Sequence, residues 1–98
     1  MYALAIVRYR RPLDEVDESV REAHREYLRE LKREGRLIAS GPFEPHFGGG
    51  FLLRVPDADG TEALDRIRDE DPFTKLKIAQ YELLPWIVKT GVEDLDRI

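Results

Sequence analysis

Two residues of this chain could together move a proton near neutral pH: His24 and Asp71. Imidazole is the side chain whose ordinary ionisation lies closest to neutrality, which suits it to general acid or base work. His24 falls between Val20 and Leu28, inside a stripe of apolar residues repeating at three- and four-residue steps. Two readings follow. One is a core histidine whose ring nitrogens are satisfied by neighbours. The other is a histidine pointing into a pocket between a helix and a sheet. Asp71 stands directly before Pro72. A residue before proline avoids the helical region, aspartate caps helices well, and proline favours the first helical position. Asp71 therefore reads as the N-cap of a short helix or turn. It also reads as a carboxylate that orients the His24 imidazole and fixes its tautomer. Both roles can hold at once, with one oxygen capping and the other meeting the histidine.

The remaining candidates are weaker. Ser40-Gly41-Pro42 lies in an apolar run, and a glycine inside a strand suggests a bulge or a close approach of backbone or ligand. Gly48-Gly49-Gly50 reads as part of a hairpin turn; it opens no helix, and neither GxGxxG nor GxxxxGK[ST] is present, so no phosphate cradle is expected. His46 occupies the same turn and reads as exposed. A metal site would need His24, His46 and a carboxylate to converge, and no HxxxH or HExxH spacing supports one. No metal and no cofactor are expected. Arg8, Arg10 and Arg11 form a basic patch, either a solvated edge or a place to meet an anionic substrate. Phe73, Tyr81 and Trp86 read as core or dimer contacts. The absence of cysteine excludes disulfides, thiolate zinc sites and a cysteine nucleophile.

The elements that must position these residues can be read in order. Tyr2 to Tyr9 is a strand, with Tyr2, Leu4 and Ile6 on one face and Ala3, Ala5 and Val7 on the other. A helix is expected from about Asp14 to Glu34, carrying Val16, Val20, Ala23, His24, Tyr27, Leu28 and Leu31 inward. Acidic residues crowd its start and basic ones its end, as the helix dipole favours, and Gly35 suits the position after its cap. Leu37 to Phe43 and Phe51 to Val55 read as a hairpin, followed by a helix over Thr61 to Asp69. A short turn or helix opens at Asp71-Pro72-Phe73. Ile78 to Val88 is a last strand bent at Pro85, and the tail from Gly91 adds a helical turn or docks on a neighbour.

This βαββαβ order gives an α+β fold, an antiparallel sheet with both helices on one face, the ferredoxin-like plait. The other face stays apolar, and a wet patch of that kind is costly, so a homodimer with sheets packed face to face is expected. With 98 residues the chain makes one domain with a thin core. Its 42% hydrophobic content excludes disorder, and a net charge of −4 argues against general nucleic-acid binding. No run of apolar residues is long enough for a membrane span, and no signal peptide pattern opens the chain, so a cytoplasmic location is expected. Asn is absent, Gln and Met occur once each, and charged residues make up 37%, a composition found in thermophiles.

Taken together, Val20-Arg21-Glu22-Ala23-His24, Ser40-Gly41-Pro42 after Gly35-Arg36-Leu37, Asp71-Pro72-Phe73 and Glu82-Leu83-Leu84-Pro85-Trp86 resemble the YCII-related (YciI-like) family over nearly the whole chain. The resemblance implies a dimeric α/β barrel and an active site with a histidine on the first helix and an aspartate before proline, here His24 and Asp71. It implies Ser40, Gly41, Pro42 and Phe73 as pocket lining. The family often has glycine six residues after the aspartate, where this chain has Lys77, which would narrow the pocket or add a cation. The expected function is a cofactor-independent enzyme of lyase or isomerase type, acting on a small substrate of cyclic or phenolic kind. The alternative is a non-catalytic module that binds a small molecule or serves as a structural dimer. A cofactorless monooxygenase on the same fold would need an oxygen-reactive substrate, to which nothing in the sequence points.

Overall fold

The computed structural model describes residues 1–98. Four strands, β1 (Tyr2–Tyr9), β2 (Leu37–Pro42), β3 (Gly48–Arg54) and β4 (Ala79–Trp86), form one sheet in the order β2-β3-β1-β4. Every neighbouring pair is antiparallel. The helices are α1 (Glu18–Arg33), α2 (Gly60–Glu70), α3 (Pro72–Lys75) and α4 (Val92–Asp96). This is the ferredoxin-like α+β arrangement expected from the order of elements. No helix is long and apolar enough to cross a membrane.

Alternation along the strands decides which residues meet the helices. Ala3, Ala5 and Val7 face inward with their partners Leu53, Phe51 and Gly49 on β3. They close the core with Leu31 of α1 and Ala63, Leu64 and Ile67 of α2. Alanines in the central strand let Phe51 and Phe73 fill the space between layers. The other face carries Leu4, Ile6, Leu52, Leu84 and Trp86, of which Leu84 and Trp86 are 41% and 43% exposed. The tail docks on its own chain at the rim of that face. Tyr2 donates from its hydroxyl to Asp96 at 2.5 Å, and Arg54 donates to the carbonyls of Leu95 and Ile98.

The first helix differs from the single run expected over 14–34. Leu13–Glu15 forms a separate 3-10 turn, and the chain is extended at Val16 and Asp17 before α1 begins. That break lets Val16 turn into the core. Ala23, expected inward, is exposed. The helix ends as the sequence suggests. Gly35 takes φ +76, with Arg36 N donating to Leu31 O and Gly35 N to Lys32 O, the double bond of a Schellman cap. From the cavity side of α1 round to its outer face, Glu18, Glu22, Glu26 and Glu30 interleave with Arg21, Arg25, Arg29 and Arg33, each arginine pairing with the glutamate three residues earlier.

The three glycines expected in the hairpin turn belong to β3 instead. A Cβ on Gly48 would lie 1.8 Å from Val7 O, and one on Gly49 would lie 2.9 Å from Gly41 O. Glycine is needed there because neighbouring backbones leave no room. The irregularity in β2 falls between Leu37 and Ala39, not at Gly41.

Lys77 also departs from expectation. It lines no cavity near His24; it is exposed, with φ +58, at the end of α3. Ile78 N donates to Phe73 O and Lys77 N to Thr74 O, so Lys77 holds the glycine position of a second Schellman cap. A side chain there costs about 1–2 kcal/mol in the left-handed region, offset in part by glycine's greater freedom when unfolded. Lys77→Gly is expected to stabilise the chain by about 0.5–1 kcal/mol in urea unfolding. A loss of stability would show that the lysine makes a compensating contact.

Candidate active site

Asp71 ends α2 and opens α3 with extended backbone, φ −67 and ψ 128, as its place before Pro72 requires. Its Oδ1 accepts from Phe73 N at 2.9 Å, the expected cap. The same oxygen lies 2.8 Å from His24 Nδ1. One oxygen thus performs both roles that the sequence divided between two. The second, Oδ2, accepts from the hydroxyl of Tyr81. Asp71 is completely buried, and these three donors satisfy it.

With Asp71 as acceptor, Nδ1 carries the ring proton and Nε2 presents a lone pair. Nε2 has no partner within the chain and is not sealed from solvent. The ring lies flat on Phe73, with centroids 3.9 Å apart and planes within 3°. Carboxylate and phenyl ring together fix the imidazole in position and in plane.

The phenols around Asp71 respond to the same surroundings. Burial, then the charge of Asp71, pushes the Tyr81 hydroxyl far above its ordinary range. The same causes raise Tyr9. Burial, then the Glu70 and Asp71 charges, raises Tyr27, which donates to Ile67 O at 2.7 Å. These groups stay protonated, so Tyr81 remains a donor to Asp71.

His24 opens on a cavity of about 380 Å³ between α1 and the β2–β3 end of the sheet. Ser40, Gly41, Pro42 and Phe73 line it, as the sequence suggested, while Asp71 stands behind the imidazole. Ser40 and Pro42 face the helices because they pair with Phe51 and Gly49. A wider hollow of about 720 Å³ lies at the opposite end of β1. Most of its polar groups are paired: the terminal amine meets Asp57, Tyr2 meets Asp96 and Arg36 meets Glu34, although Arg36 Nε is left without a partner. It holds no group poised for chemistry.

The family model of the YCII-related domain matches residues 1–87. The chain belongs to the YCII-related family. No curated protein matches its sequence. Among solved structures it is similar to 5-chloro-2-hydroxyhydroquinone dehydrochlorinase from Burkholderia phenoliruptrix AC1100, in complex with 2,5-dihydroxybenzoquinone, with a TM-score of 0.74 and 19% identity. The match covers 93% of this chain and 98% of the other, and at that identity it speaks for the fold.

In this YCII-related chain several residues of the site carry little local signal. Tyr81 packs against the core as expected, and its pairing with Val7 also turns its hydroxyl toward Asp71. Arg21, Arg25, Tyr9, Leu13, Leu28, Gly49 and Phe51 complete the cavity wall. Two other candidates lie outside the cavity. His46 lies exposed in the β2–β3 turn, with Nε2 3.6 Å from Glu44, and does not reach the His24 cavity. Arg8 leaves the basic patch to pair with Glu82 at 3.0 Å, so only Arg10 and Arg11 remain together.

Proposed function

We propose that the chain is a cofactor-independent enzyme of lyase or isomerase type, with His24 as general acid and base on a small cyclic or phenolic substrate. The observation that carries this reading is the division of the imidazole: Nδ1 is held by buried Asp71 at 2.8 Å, while Nε2 is left free beside the cavity. Nε2 takes a proton from a carbon or hydroxyl of the substrate, and the electron pair left behind forms a new double bond. In a lyase step that pair expels a leaving group from the adjacent carbon. In an isomerase step that pair shifts an adjoining double bond instead, and the carbon at the far end of the shifted bond takes the proton back from the imidazolium. Asp71 keeps Nδ1 protonated and stabilises the imidazolium that forms. The likeness in fold to a dehydrochlorinase supports a small-molecule substrate.

Two copies pair through the open sheet face in this proposal. Leu4, Ile6, Leu52, Leu84 and Trp86 support it, since together they form an apolar surface that a partner would cover.

One observation favours a second reading, a structural or binding module with a packed histidine. The His24 side chain is only 13% exposed, and its ring is stacked on Phe73. Turnover of hydroxylated quinols and lactones by the wild type and His24→Ala separates the two. Under the enzymatic reading, His24→Ala lowers kcat about 100- to 10,000-fold with an unchanged sedimentation coefficient, which is that of a dimer. Full activity in that variant removes the reading. No turnover by the wild type, with a variant that only unfolds, selects the structural one.

A further inference from the structure

The charged side chains that line the cavity are all basic, and their acidic partners stand outside it. Arg21, His24 and Arg25 line it, and no aspartate or glutamate does. Asp71, behind the imidazole, is fully buried and already accepts three hydrogen bonds. The rest of the wall is largely apolar, with Phe51 and Phe73 as its aromatic surfaces.

The two arginines are not equivalent. Arg25 is held by Glu18 at 2.5 Å and by Glu22 at 2.9 Å, on the outer face of α1. Arg21 is the first arginine of that ladder and has only Glu18, at 2.7 Å, which it shares with Arg25. Its Nε is buried and makes no hydrogen bond. It lies one turn before His24, so both side chains occupy the same face of the helix. Beyond Tyr9, which also lines the cavity, a second depression holds Arg10 and Arg11, and neither makes an ion pair. A chain of net charge −4 therefore keeps two unpaired arginines, Arg10 and Arg11, in the depression next to the cavity. Such a concentration of one sign draws anions to a low-dielectric cleft.

We infer that the cavity takes a small cyclic carboxylate, anchored by the Arg21 guanidinium with its ring against Phe51 and Phe73. The inference rests on the proposed function for its site and adds the charge of the substrate and the residue that reads it. Arginine matches a carboxylate because two parallel N–H groups can meet its two oxygens, whereas a single hydroxyl uses only one. Arg21 is a specificity residue in this arrangement, and the proton transfer remains with His24.

Binding can be read without turnover, by titrating the protein with benzoate and with its neutral isostere benzamide. Benzoate is expected to bind at least about tenfold more tightly, the usual strength of one charge-assisted hydrogen bond. Arg21→Gln is expected to bring benzoate down to the benzamide level and leave benzamide unchanged. Arg21→Lys, which keeps the charge and loses the fork, should fall between. Should Arg21→Gln fail to fold, the wild-type benzoate-to-benzamide ratio still decides, because it must shrink as salt is added. Equal binding of the two probes, no binding of either at millimolar concentration, or an undiminished preference in Arg21→Gln overturns the inference. Arg21-dependent benzoate binding without turnover of any substrate would remove the enzymatic reading alone. Turnover that is indifferent to Arg21 would remove this inference alone.

Discussion

Asp71→Ala is expected to cost about 3–5 kcal/mol of folding free energy, a large share of what a domain of this size possesses. The substitution removes one acceptor from three donors: His24 Nδ1, Phe73 N and the Tyr81 hydroxyl. Loss of the cap alone costs about 1 kcal/mol, and each buried donor left unmet costs about 1–3 kcal/mol. The bare methyl group of alanine replaces none of these bonds, and the position is fully buried, so water does not reach it freely. Asp71→Asn keeps an oxygen for the cap and the shape of the site, so it should cost less than half as much. Urea unfolding of the two variants measures the difference. An alanine variant within about 1 kcal/mol of the wild type would mean that this network contributes little to folding.

Gly48→Ala is expected to be at least as damaging, by a route that involves no polar group. The added methyl carbon would stand 1.8 Å from Val7 O and 2.9 Å from Val7 C. Both atoms are backbone of β1, the central strand, so neither can yield without breaking the ladder between β1 and β3. Overpacking against side chains costs about 1–3 kcal/mol, and against fixed backbone the cost should exceed that range. Gly50→Ala is the contrast, because its methyl would meet the Phe43 ring at 3.0 Å, and a side chain can rotate away. The pair is expected to separate widely in urea midpoint. Equal midpoints would show that the β1–β3 spacing adapts more readily than the backbone geometry allows.

These two positions illustrate what could be read in the sequence. Asp71 was legible because a residue before proline has few conformations, and aspartate there has a known use. Gly48 reads as part of a turn because glycine has no strand preference of its own. What puts it in β3 is the proximity of β1, which is distant in sequence. The strand β1 was legible to its ends, since alternation and β-branched residues agree over Tyr2–Tyr9. His24 was placed on the apolar face of α1 by periodicity, but its stacking on Phe73 depends on α3 returning beneath it. Tyr81 carried no mark at all. In an alternating strand every second residue faces inward, and only the register with Val7 shows that this one meets Asp71. Arg21 was hidden among the charges of a solvated helix face, because an arginine that closes an ion-pair ladder looks like one that lines a cavity. Lys77 was read by its charge, while its position is governed by a backbone angle.

The interleaved glutamates and arginines of α1 bear on how the site responds to heat. Hydration of charged groups weakens as temperature rises, so networks of ion pairs hold relatively better when warm, whereas apolar burial levels off. α1 has only Leu31 among its fully buried residues, so its attachment relies less on the core than that of α2, which buries Ala63, Leu64 and Ile67. The helix that carries His24 and Arg21 is therefore braced on its solvent side by contacts that outlast the loosening of the interior. On warming, α1 should keep its helical form, while the imidazole should keep its aim only as long as Asp71 and Phe73 stay packed against it.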